Sequence, residues 1–135
     1  MLYTIFMILN DKISQKHPLV LAFHGDAFTK VFVSARLTQI TESDVASLHK
    51  KSSKIVSAKN QSKTYEIVYD TLCNELRQIA DRAFNAKHNT VPKNCTLKEY
   101  RQATAFEAIV GYLELSDTNH EKLLEILNIL ISEGS

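Results

Sequence analysis

The fold is read from Thr96-Leu-Lys-Glu-Tyr-Arg-Gln-Ala-Thr-Ala-Phe-Glu-Ala-Ile-Val-Gly-Tyr-Leu-Glu-Leu115. It opens with Thr96-Leu97-Lys98-Glu99, the pattern in which two side chains each take up a backbone N–H at a helix start, and predicts a helix to about Leu115. Upstream, Asn85 to Thr96 holds Pro92, is rich in asparagine and threonine and is poor in apolar residues, so it reads as a functional loop. Downstream, Thr118 to Glu121 repeats the capping pattern and opens a helix carrying Leu123, Leu124, Ile126, Leu127, Leu130 and Ile131. That stripe reads as core rather than as a partner surface.

Toward the N-terminus, His17-Pro18 places a proline in the first turn of a helix expected over about Leu19 to Leu37. Its expected core positions are Leu19, Val20, Phe23, Ala27, Val31 and Val33. Thr41-Glu42-Ser43-Asp44 supplies caps before Val45, Leu48, Ile55 and Val56 at helical spacing, and two further helices cover Ala58 to Ala83 with a break near Asp70. The expected architecture is all-α, with five to seven helices.

Composition agrees with that reading. A chain of 135 residues suits one domain, here 1–135, and 44% hydrophobic against 23% charged residues excludes a disordered chain. Three glycines and two prolines are too few for a sandwich or barrel with frequent turns. Cys73 and Cys95 lack metal-site or disulfide spacing and read as reduced thiols. The opening MLYTIFMIL has no basic leader and is too short to cross a bilayer. A soluble, cytoplasmic protein without a membrane partner is expected.

Two acids stand out. Asp26 shares a helical face with Leu19, Ala22, Phe23 and Val33 rather than with Thr29, Lys30 and Ser34. Burying an ionised carboxylate costs several kcal/mol unless something offsets it, by order of magnitude. An arginine or a helix N-terminus would satisfy it; so would a cation. Glu107 sits among Ala103, Thr104, Val110 and Gly111, and Asp26 beside Ala22 and Gly25. Small residues on both helices allow a close crossing that brings the two carboxylates to one point. A hard divalent ion resolves their repulsion, and magnesium, which keeps several waters, fits best. Such an ion activates water for phosphodiester hydrolysis. The five histidines show no i,i+3 or i,i+4 pairing, which argues against zinc, and no nucleophile elbow or glycine-rich phosphate loop is present.

At Leu21-Ala-Phe-His-Gly-Asp-Ala27 the chain resembles the signature helix of the ribonuclease III family. His49-Lys-Lys, Ser57-Ala-Lys-Asn-Gln, Asn85-Ala-Lys, Thr90-Val-Pro-Lys-Asn and Tyr100 to Leu113 are similar, in that order, to its short branch, Mini-ribonuclease III, which lacks a double-stranded-RNA-binding domain. The resemblance implies an all-helical endonuclease that forms a two-fold homodimer and cleaves double-stranded RNA with Mg2+, or Mn2+ in its place. It also implies maturation of the large-subunit ribosomal RNA precursor, with Asp26 and Glu107 as catalytic residues and metal ligands. Ala22 and Thr104 stand where larger members of the family carry further acids, which puts the number of metals at issue. His24 replaces an aliphatic residue and reads as packed or hydrogen-bonded rather than as a ligand.

A small protein grips an A-form duplex mainly through phosphates and 2′-hydroxyls. Between Val45 and Tyr65 there are five lysines and no acid, whereas after Ala105 six acids face Lys122 alone. The expected RNA surface comprises His49, Lys50, Lys54, Lys59, Gln61, Arg82, Asn85, Lys87, Lys93 and Asn94, with Lys51 and His88 beside them. The competing reading is a non-catalytic dimer that binds structured RNA or a ribosomal protein partner, its acids serving a structural ion or hydrogen bonds.

Overall fold

The computed structural model describes residues 13–88 and 90–135, so the opening apolar segment lies outside it. Among the described residues there are six α-helices and no strand. They are α1 (Pro18–Ile40), α2 (Val45–Ile55), α3 (Ala58–Val68), α4 (Asn74–Asn85), α5 (Leu97–Ser116) and α6 (His120–Gly134), with 3-10 turns at Ile13–Gln15 and Tyr69–Thr71. The 3-10 turn at Tyr69–Thr71 is the break expected near Asp70.

Local signals set most boundaries. Thr96 accepts from the Glu99 N–H while Glu99 takes the Thr96 N–H, the reciprocal cap expected at the head of α5. Asp44 caps α2 by accepting from the Ser47 N–H, and Ser57 caps α3 by accepting from the Asn60 N–H. At α6 the expectation shifts by one residue: Asn119, not Thr118, accepts from the Lys122 N–H. Asparagine is at least as good a cap as threonine, and it wins here.

The centre of the fold is α5. Every residue from Gln102 to Leu113 is buried except Glu107. A helix buried all round needs partners on several sides; α1, α3, α4 and α6 surround it. Leu123, Ile126, Leu127, Leu130 and Ile131 of α6 join the core, as expected, while Leu124 stays outside.

Helix α1 overturns the expected core face. Val20, Phe23 and Val31 are 53%, 80% and 67% exposed, and Ala27 is exposed too. The buried face is Pro18, Leu21, Ala22, Gly25, Thr29, Val33 and Leu37. Thr29, expected on the polar side, is completely enclosed. The reason is steric. A Cβ at Gly25 would lie 1.8 Å from the carbonyl oxygen of Glu107, and one at Gly111 would lie 2.0 Å from that of Leu21. The backbones of α1 and α5 touch, and only glycine permits that approach. Close backbone packing thus turns the small residues inward and leaves the larger apolar ones outside.

Candidate active site

The glycine crossing fixes the two acids. Gly25 precedes Asp26 and lies against the Glu107 carbonyl, so both carboxylates emerge at the same edge of the α1–α5 contact. They line one cavity of about 470 Å³ together with Ala22, Phe23, Lys87, His88, Tyr100 and Thr104. Glu107 is pushed up to about 9, first by burial, then by hydrogen bonding and charge from Asp26. Lys30 and Gln61 act in the opposite direction. The expected convergence of residues 26 and 107 is therefore met.

The environment fits a hard cation. A carboxylate forced to keep its proton by burial beside a second carboxylate is a site that a divalent ion would relieve. Among the described residues no group of three or more His, Cys, Asp or Glu gathers to hold a metal. Two oxygen-bearing side chains suit an ion that retains most of its own waters, as magnesium does, and not a closed zinc site. Asp26 and Glu107 are the side chains that would hold it.

The loop after α4 closes one side of the cavity. The His88 ring meets Tyr100 edge to face, with centroids 4.9 Å apart. Burial, assisted by Arg101, pulls the His88 pKa down. Arg101 extends over the Phe84 ring, 5.9 Å from its centroid. His24 lies on α1 and accepts or donates a 2.7 Å hydrogen bond with Glu114 of α5, in line with a hydrogen-bonded role.

Of the residues expected at or beside the RNA surface, Lys87 and His88 line the acid cavity. His49, Lys50, Lys54, Lys59, Asn85, Lys93 and Asn94 are all exposed. His49 borders a groove between α1 and α2, and Lys54 borders another near the end of α6. Arg82 is exposed but donates to the Ser14 carbonyl at 2.9 Å, and Asn85 donates to the Asp81 carbonyl.

Gln61 is a correction. It is 2% exposed, and its amide donates to the Val56 carbonyl at the end of α2. It supports Glu107 from within rather than meeting RNA from the surface. Asn60 beside it donates to the carbonyls of Ile55 and Leu130. The Ser57-Ala-Lys-Asn-Gln block thus ties α2, α3 and α6 together, and only Lys59 of its long side chains faces solvent. Two residues beside the acids take defined places: Tyr100, open in sequence between positioning the helix and contacting phosphate, is a wall of the cavity, and Lys30, expected on the polar side away from Asp26, is instead its ion-pair partner at 3.3 Å. The i,i+4 spacing of Asp26 and Lys30 was the available signal for the second.

Comparison with known proteins agrees with this geometry. The family model described as "Ribonuclease III domain" matches residues 19–118. A Mini-ribonuclease 3 from Thermoanaerobacter sp. (strain X514) is 36% identical over 125 residues, covering 93% of this chain and 87% of the relative. One from Staphylococcus aureus is 34% identical over 125 residues, covering 91% and 92%. An X-ray crystal structure of a protein from Fusobacterium nucleatum superposes with a TM-score of 0.81 at 36% identity, covering 90% of this chain and 96% of that one. With the paired acids, the glycine crossing and the match across most of its length, the chain belongs to the ribonuclease III family of endoribonucleases.

Proposed function

We propose that this chain is a magnesium-dependent endoribonuclease that cuts double-stranded RNA as a homodimer in the cytoplasm. Its natural target is then the large-subunit ribosomal RNA precursor, the substrate implied by its resemblance to Mini-ribonuclease III. The observation that carries the reading is the meeting of Asp26 and Glu107 in one open cavity at a glycine-mediated crossing.

In the hydrolysis, a water oxygen bonds to phosphorus, one bridging phosphorus–oxygen bond breaks, and a proton from the water goes to the departing oxygen. Asp26 and Glu107 would hold the ion, which when bound would supply a more acidic water and offset developing negative charge. Lys87 offers its ammonium to a phosphate from the same cavity, and the exposed lysines of α2 and the head of α3 carry the duplex beyond it.

The exposed stripe Val20, Phe23, Ala27 and Val31 supports a second copy as the occupant of that face of α1. Phe23 also lines the acid cavity, so a two-fold partner would abut the site and offer one acid pair to each strand.

Incubating duplex RNA with the purified protein tests the reading. Cleavage is expected with Mg2+ and absent with chelator, and Asp26→Asn is expected to fold and bind duplex without cutting it. Unchanged cleavage by Asp26→Asn would overturn the assignment.

A further inference from the structure

Two carboxylates hold little metal charge, yet the site must offset a phosphodiester that becomes more negative as water adds to it. A cation built into the chain stands beside them. Lys30 is one turn beyond Asp26 on α1, with its Nζ 3.3 Å from Asp26 Oδ2. The side chains of Lys30 and Asp26 are 59% and 44% exposed, so both are open to a bound substrate. An exposed i,i+4 pair of this kind adds little to stability, which is a weak reason for placing a lysine there.

The ammonium has three N–H donors, and one suffices for Asp26. Asp26 has two oxygens: Oδ2 takes Lys30, and the carboxylate also meets Glu107, the second side chain that would hold an ion. The same positive charge is felt at Glu107, where it opposes the effects of burial and of Asp26. Ala22 and Thr104 line the acid cavity but contribute no carboxylate to it.

We propose that Lys30 is a catalytic residue of this endoribonuclease, its ammonium anchored on Asp26 and donating to a non-bridging oxygen of the scissile phosphate. The inference rests on the nuclease reading. Lysine binds phosphate as a point charge, and here it provides on the protein a charge that a richer acid set would draw from solution as metal. Its effect belongs to the cutting step rather than to general grip on the duplex.

Single-turnover cleavage by Lys30→Gln and Lys30→Arg at saturating Mg2+ tests this, alongside duplex affinity without metal and Mn2+ binding by calorimetry. The expected result for Lys30→Gln is a cleavage rate constant about 10- to 100-fold lower, the loss typical of one removed electrostatic donor moderated by solvent. Duplex affinity should change less than about threefold, the contribution of one phosphate contact among many. Mn2+ should bind no more weakly, because a competing cation has gone. Lys30→Arg should retain most of the rate. A Lys30→Gln protein that cuts at the wild-type rate, or one whose whole defect lies in weaker duplex or Mn2+ binding, would overturn the proposal. Wild-type protein inert toward duplex RNA with Mg2+ would instead sink the nuclease reading on which it rests.

Discussion

Replacing Glu107 with glutamine should stabilise the metal-free protein while destroying its activity. The carboxyl of Glu107 is held at about 9 by burial and by Asp26, against 4.5 for the unperturbed group. Because the folded value is the higher one, the stabilising protonated state is fully present below pH 4.5 and is lost as pH rises toward 9. Each pH unit above the unfolded value costs roughly 1.4 kcal/mol until the folded group itself ionises. At pH 7 the ceiling is therefore about 3 kcal/mol, and the partial exposure of Glu107 brings the expectation to about 1–3 kcal/mol. Glutamine mimics the protonated acid and carries no such pH dependence. For a domain of this size the gain corresponds to a rise in Tm of about 4–12 °C in chelator. Thermal melts of wild type and Glu107→Gln from pH 4.5 to 9 measure it. Convergence of the two curves at the acid end and divergence at neutral pH are expected. Parallel curves with equal Tm at pH 7 would show that Glu107 is not strained by its surroundings, and the argument for a cation at this point would lose its physical basis.

Other consequences are independent of that experiment. Gly111→Ala should cost about 3 kcal/mol or more in chemical denaturation, since its Cβ would lie 2.0 Å from the Leu21 carbonyl oxygen; a loss below about 1 kcal/mol would mean the helices separate easily. Lys59→Glu should weaken duplex binding and make its salt dependence shallower by about one phosphate contact; an identical slope would remove Lys59 from the RNA surface. Phe23→Asp, at a position 80% exposed, should leave helical content intact while sedimentation shows the dimer dissociating; an unchanged mass would refute α1 as the subunit contact.

The elements of the fold were legible because their signals are local. The reciprocal cap at Thr96 and Glu99, the caps at Asp44 and Ser57 and the interruption at Tyr69–Thr71 all depend on residues within one turn. The meeting of Asp26 and Glu107 was legible too, because small residues beside each acid announce a close crossing. The buried face of α1 was not. Apolar residues lie nearly all round that helix, so periodicity selects the bulkier stripe of Val20, Phe23 and Val31, whereas backbone contact demands the glycine face. Gln61 misled for a related reason. A polar side chain in a lysine-rich stretch reads as surface, but its amide serves the Val56 carbonyl that the end of α2 leaves open and the Glu107 carboxyl.

A shared ion at Asp26 and Glu107 is measured most directly by Mn2+ titration of the purified protein. One tightly bound ion per chain is expected in the wild type, with binding and duplex cleavage lost together in Asp26→Asn and in Glu107→Gln. Full Mn2+ binding with undiminished cleavage in either variant would contradict it.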